Sequence, residues 1–143
     1  MHERTRSRTT DWITPQQIIQ ALGPFDFDPC ASTSMPWPTA SHMNAGPIDG
    51  LTIPWSGRVW LNPPYGKKEI VPFLKRMADH GNGIGLYPAR TDTRWFHDFV
   101  VSAATALFFK CGRISFCQPD GSKGPQNTVG SVFALYGEHN GVI

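Results

Sequence analysis

The chain has 143 residues, 40% of them hydrophobic, with five tryptophans, nine phenylalanines and a formal charge of +2 at pH 7. That is enough apolar material for one domain with a real core, and it excludes a disordered, charge-dominated chain. Three cysteines without a C-x-x-C pair and five scattered histidines point to neither a disulfide framework nor a zinc site, so no metal is expected and a reducing cytoplasm is the simplest location.

No apolar run reaches the length of a membrane span, and the polar N-terminus is not a signal peptide. Residues 1–11, with Arg4, Arg6 and Arg8, read as a flexible basic arm, and 12–143 as a single domain. Thr14-Pro15-Gln16-Gln17 predicts a helix start: Thr14 as N-cap, Pro15 in the first position and Gln17 completing a capping box. Gly23-Pro24 stops that helix. Free N–H groups at such a start also suit a carboxylate.

Phe25-Asp26-Phe27-Asp28 predicts a short strand closed by Pro29. Asp28-Pro29-Cys30-Ala31-Ser32 is then a polar exit from a strand, where α/β sheets hold their ligands. Thr33 to Pro54 reads as one long loop, a length that in compact domains goes with function or mobility. Within it, Asp49-Gly50-Leu51 predicts a tight turn with a directed carboxylate.

Val59-Trp60-Leu61 fits a short buried strand, and the prolines of Asn62-Pro63-Pro64-Tyr65 end its ladder pairing. Asn62 therefore stands where a strand stops and a stiff turn begins. The turn offers the Asn62 amide oxygen and the Pro63 carbonyl beside the flat ring of Tyr65. Two acceptors beside an aromatic plate suit an exocyclic amino group on a planar base. A proline-rich turn with a packed tyrosine is the plainer alternative.

Ile70, Phe73, Leu74 and Met77 follow the i, i+3, i+4, i+7 pattern of an amphipathic helix ending at His80-Gly81, with Pro72 expected in its first turn. Gly83 to Tyr87 predicts a strand closed by Pro88. Thr91, Asp92 and Thr93 offer N-caps for a helix that presents Phe96, Phe99, Val100 and Ala103 on one face. Ala106 to Phe109 predicts another buried strand. Ile114 to Cys117 and Val129 to Tyr136 read as a final strand pair, joined by a polar loop from Gln118 to Thr128. Strands alternating with helices imply an α/β sheet with helical crossovers. Lys67, Lys68, Arg90, Arg94 and Arg113 cluster around the Asn-Pro-Pro-Tyr stretch and suit phosphates; solvated surface is the commoner fate of any one of them.

Taken together, Trp12-x-Thr14-Pro15, Asp28-Pro29-Cys30-Ala31-Ser32, Asp49-Gly50-Leu51, Asn62-Pro63-Pro64-Tyr65, Pro88-Ala89-Arg90-Thr91-Asp92-Thr93-x-Trp95-Phe96-His97 and Gly112-Arg113-Ile114-x-Phe116 resemble the phage-type Dam DNA N6-adenine methyltransferases, over about Trp12 to Gly137. The resemblance implies a compact Rossmann-like methyltransferase fold, with a mixed sheet and a closing strand pair. It also implies S-adenosylmethionine as methyl donor, adenine in double-stranded DNA as acceptor, and a phage or prophage setting in which methylation shields DNA from restriction. Carried over to this chain, Asn62, Pro63, Pro64 and Tyr65 are the catalytic residues. Thr14, Pro15, Asp28, Pro29, Cys30, Ala31 and Asp49 face the cofactor, and Lys67, Lys68, Arg90, Arg94 and Arg113 face DNA. One departure is plain: Ser32-Thr33-Ser34-Met35-Pro36 stands where broader methyltransferases place a glycine-rich loop. Two other functions remain open to the same residues. One is methylation of a protein glutamine, whose amide nitrogen has similar geometry, and the other is a DNA-binding module without catalysis.

Overall fold

The computed structural model describes residues 13–45, 47–126 and 129–140; the basic arm lies outside them. Short apolar runs form the middle of a six-stranded sheet. Its strands in chain order are β1 (Phe27–Ala31), β2 (His42–Ala45), β3 (Val59–Leu61), β4 (Gly83–Pro88), β5 (Ala106–Phe109) and β8 (Ser131–Tyr136). Across the sheet the order is β2-β1-β3-β4-β8-β5. The first four are parallel, β8 runs against β4, and β5 runs against β8. After β1 the chain moves outward to β2, then returns to the other side of β1 for β3. That reversal makes a crevice between β1 and β3 at their carboxyl ends, the place where open α/β sheets take ligands.

Helices cover the sheet unequally. On one face α3 (Lys67–His80) and α4 (Arg94–Phe96, continued by a π-helical turn, His97–Val101) pack onto Val59, Leu61, Tyr87, Val132 and Tyr136. The predicted stripe of α3 is buried at Ile70, Phe73, Leu74 and Met77. Gly81 ends that helix at φ 72°, a left-handed conformation that glycine takes without steric cost, and its N–H bonds to Met77 O. The other face carries α1 (Gln16–Leu22) and a separate hairpin of β6 (Ser115–Cys117) and β7 (Lys123–Gln126). Ile19, Ile114 and Phe116 pack there on Trp60, Ile84 and Leu86.

Several sequence expectations change. Pro29 does not close β1, which runs on to Ala31; the register between β1 and β2 breaks between Asp28 and Ala31, so the missing proline N–H falls where pairing is already irregular. The loop predicted from Thr33 to Pro54 contains β2 and a short helical turn, α2 (Pro47–Gly50). β2 is an edge strand of His, Met, Asn and Ala, mostly exposed, and so has no apolar signature. Thr14 does not cap α1, because its hydroxyl receives the Asn62 amide instead; Pro15 holds the cap position without a side-chain bond. Pro72 lies beyond the first turn of α3, at an exposed position.

The predicted buried strand at Ala106 to Phe109 is a sheet edge, with Phe108 and Phe109 57% and 54% exposed. The predicted closing pair is also corrected. β8 is buried along its whole length and inserts between β4 and β5, and β6 pairs with β7 from inside the predicted loop. Thr93 does cap α4, accepting from Phe96 N at 3.4 Å. Among the described residues no helix is long and apolar enough to cross a membrane.

Candidate active site

β3 ends because Pro63 and Pro64 cannot donate to a ladder, which leaves Asn62 half-buried at the carboxyl end of a central strand. The Asn62 amide is held by Thr14, which is only 2% exposed: Nδ2 donates to Thr14 Oγ1 at 3.3 Å. With the nitrogen directed to Thr14, the oxygen is the amide's remaining arm, and it is buried. Pro63 is buried and Pro64 half-buried. The Tyr65 hydroxyl donates to Leu86 O of β4 at 3.1 Å, and its ring meets Phe116 of the hairpin edge-on, centroids 6.2 Å apart. Burial pushes that phenol well above the usual tyrosine range, so it stays neutral and serves as an anchored plate.

Across the crevice β1 is arranged differently, with Asp28 as its second residue, where regular pairing with β2 breaks off. Asp28 is buried; its Oδ2 accepts from the Thr39 hydroxyl and its Oδ1 from Cys30 N at 2.9 Å. Burial outweighs those two bonds and lifts the carboxyl from 3.8 to about 6. Desolvation, reinforced by the Asp28 charge, also pushes the Cys30 thiol up. The Asp28 carboxylate therefore ties β1 to the following loop and does not project from the strand. Pro29 and Ala31 are buried and Cys30 half-buried along the floor of the crevice. Asp49 is exposed on α2, just beyond β2 and about twenty residues past the end of β1, the region from which an acidic side chain reaches a ribose in dinucleotide folds. Gly50 packs so closely on Pro29 O that a Cβ would collide with it.

Four of the basic candidates follow the carboxyl ends of the neighbouring strands β3 and β4. Lys67 and Lys68 open α3 directly after the tetrad, and Arg90 and Arg94 follow β4, which is parallel to β3; all four are exposed. Arg113 is exposed just before β6. Arg4, Arg6 and Arg8 lie outside the described residues. No group of three or more His, Cys, Asp or Glu among the described residues is placed to hold a metal ion.

A family model described as DNA N-6-adenine-methyltransferase (Dam) matches residues 2–141. The chain belongs to the Dam family. A relative named DNA N-6-adenine-methyltransferase, from Escherichia phage T1, is 28% identical over 152 residues, covering 89% of this chain and 62% of the relative. The chain thus spans under two thirds of that relative's length. No solved structure matches. As a Dam family member, the chain has a mixed α/β architecture consistent with a methyltransferase-like fold.

Three participants escape the sequence reading of this Dam family chain, and a fourth, Phe116, stands in one of its motifs without a role assigned there. Thr39 clamps Asp28, Trp37 donates through Nε1 to Thr14 O at 3.0 Å, Leu86 O holds Tyr65, and Phe116 braces the same ring. Trp37 had a faint signal, an aromatic between two prolines in a polar stretch. Thr39 and the Leu86 carbonyl had none, since each acts through a contact distant in sequence.

Proposed function

We propose that the chain is an adenine-specific DNA methyltransferase that moves the methyl group of S-adenosylmethionine to N6 of adenine, on a Rossmann-like fold. One observation supports this above the others. Asn62-Pro63-Pro64-Tyr65 stands at the carboxyl end of a central parallel strand, beside the crevice made by the reversal of strand order, with its amide turned by Thr14. In this reading the cofactor would lie between Thr14-Pro15 at one side and Cys30 and Ala31 beneath, with Asp49 serving a ribose hydroxyl. When bound, the cofactor supplies an electrophilic methyl whose leaving group is neutral.

The lone pair of adenine N6 is conjugated into the ring, which makes it a poor nucleophile. Asn62 Oδ1 and the Pro63 carbonyl accept hydrogen bonds from the N6 protons, favouring a pyramidal nitrogen whose lone pair points along the line of attack. Alignment of reacting atoms is worth several kcal/mol, and two acceptors aimed at developing positive charge add to it. The target base leaves the duplex stack and rests on Tyr65. Arg90, Arg94, Lys67, Lys68 and Arg113 hold the phosphates on either side. Acting in the host cytoplasm, such an enzyme would mark phage or prophage DNA against restriction.

Digestion and mass analysis of DNA incubated with donor and protein tests the proposal. N6-methyladenine is the expected product. Methylated glutamine in a protein substrate, with unmodified DNA, would replace this reading, and DNA binding without any transfer would leave an inactive module.

A further inference from the structure

We propose that Trp37 is a positioning residue for the Asn62 amide, acting through Thr14. The inference rests on the methyltransferase reading of Asn62, but the geometry that carries it does not. Thr14 is buried, and two of its polar atoms receive hydrogen bonds from distant segments. Its carbonyl oxygen accepts from Trp37 Nε1 at 3.0 Å, and its hydroxyl accepts from Asn62 Nδ2 at 3.3 Å. The relay therefore runs from the indole N–H to the Thr14 backbone, then from the Thr14 side chain to the amide that faces the target base.

Thr14 has no helical bond to fix it in this place. It precedes α1 without capping it, so contacts from outside the helix set its orientation. Its neighbour Ile13 is held by the hairpin, through Cys117 N donating to Ile13 O at 2.8 Å. Trp37 supplies the second restraint, on the Thr14 carbonyl itself. The indole also borders the hairpin turn, where a Cβ added at Gly121 would meet the ring at Cζ3 in ordinary van der Waals contact. A half-buried tryptophan with its N–H committed to one carbonyl fixes a direction, whereas a packing residue would fix only a volume.

The chemical consequence concerns which end of the Asn62 amide meets adenine. An amide offers an acceptor oxygen and a donor nitrogen that differ by a half-turn about the last side-chain bond. Only the oxygen can accept from the N6 protons; the nitrogen would oppose them. Thr14 Oγ1 selects the productive orientation by accepting from Nδ2. A Thr14 backbone free to rotate would weaken that selection without removing any group that touches the reactants. Losing Trp37 Nε1–H should therefore slow the chemical step and leave DNA affinity close to normal.

The test is Trp37→Phe, which keeps an aromatic ring and removes the donor. Expected are a fall of roughly tenfold in kcat, the scale of one well-placed hydrogen bond, and a KM for DNA within about twofold of the parent. The Asn62 side-chain amide resonances, assigned by their loss in Asn62→Ala, should shift in Trp37→Phe. Thr39→Val frees the same loop from Asp28 without touching Thr14, and should leave those resonances in place. Unmoved Asn62 resonances in Trp37→Phe, or equal shifts in both variants, would overturn the proposal. So would activity lost only in proportion to the unfolded fraction. Should Trp37→Phe fail to fold, the parent protein still decides: slow hydrogen exchange at the Trp37 indole supports the bond, and rapid exchange removes it. A parent that transfers no methyl to DNA would sink the enzyme reading, while the resonance and exchange measurements would still judge the relay.

Discussion

The two walls of the crevice put polar side chains to opposite uses. On β1 the conspicuous group is a carboxylate, yet Asp28 is turned inward and occupied by Thr39 and the Cys30 backbone. At the end of β3 the conspicuous group is a neutral amide, and Asn62 is braced so that one of its ends faces outward from Thr14. A charge within β1 thus serves shape, whereas the dipole beside β3 is left for the chemistry proposed for it. The energetics agree: burying Asp28 raises its proton affinity, a cost to the charged fold, whereas the amide carries no such penalty.

The sharpest break in this contrast is Asn62→Ala. Removing an acceptor used in the transition state is expected to cost about a hundredfold or more in single-turnover rate, with DNA and donor affinities and melting temperature near those of the parent. A full rate would reduce Asn62 to a turn residue. Next in size is the pH response of Asp28. Its folded pKa of about 6 exceeds the ordinary 3.8, so its contribution to stability is fully present below pH 4 and is lost as pH rises through 6. The loss by neutral pH is roughly 3 kcal/mol. Asp28→Asn, with no proton to lose, should erase that part of the profile in denaturant titrations from pH 4 to 7. An unchanged profile would mean that the carboxyl is not held as described.

Smaller again is Tyr65→Phe. The ring remains for stacking, but the bond to Leu86 O goes, a loss of about 1 kcal/mol in unfolding free energy. 2-Aminopurine fluorescence at the target base should still rise on binding. A dark target would show that the hydroxyl, and not the ring, is what the base requires. Smallest are Arg90→Ala and Arg94→Ala. Each lost phosphate contact should lower the slope of log affinity against log salt by roughly 0.9; a slope indifferent to both would return these side chains to solvent.

The sequence makes the β3 wall legible and the β1 wall much less so, for a physical reason. Val59 to Tyr65 carries its own punctuation, an apolar run and two prolines, so strand, stop and catalytic candidates follow from local rules. The α3 stripe is local in the same sense. Asp28, by contrast, reads as an acidic residue at a strand exit, and only Thr39 shows that it faces inward. β2 lacks hydrophobic alternation because it lies at an edge, and Ala106 to Phe109 reads as core although it is the opposite edge. Periodicity reports that a segment is extended, but its neighbours in the sheet are chosen by segments far away. The same holds for β8, whose pairing with β4 instead of β6 is decided by burial along all six of its residues.

The position of β8 has a consequence for how the molecule is made. It is the last described strand in chain order, yet it lies inside the sheet, between β4 and β5, and Tyr136 on it meets the Tyr87 hydroxyl at 3.1 Å. A chain emerging from the ribosome therefore holds the whole tetrad long before β4 has its second neighbour. β4 carries the carbonyl that anchors Tyr65, so the aromatic plate cannot be secured until synthesis has passed Tyr136. Assembly by such distant pairing is slow compared with local folding. The catalytic candidates are among the segments translated early and among the last to be set in place.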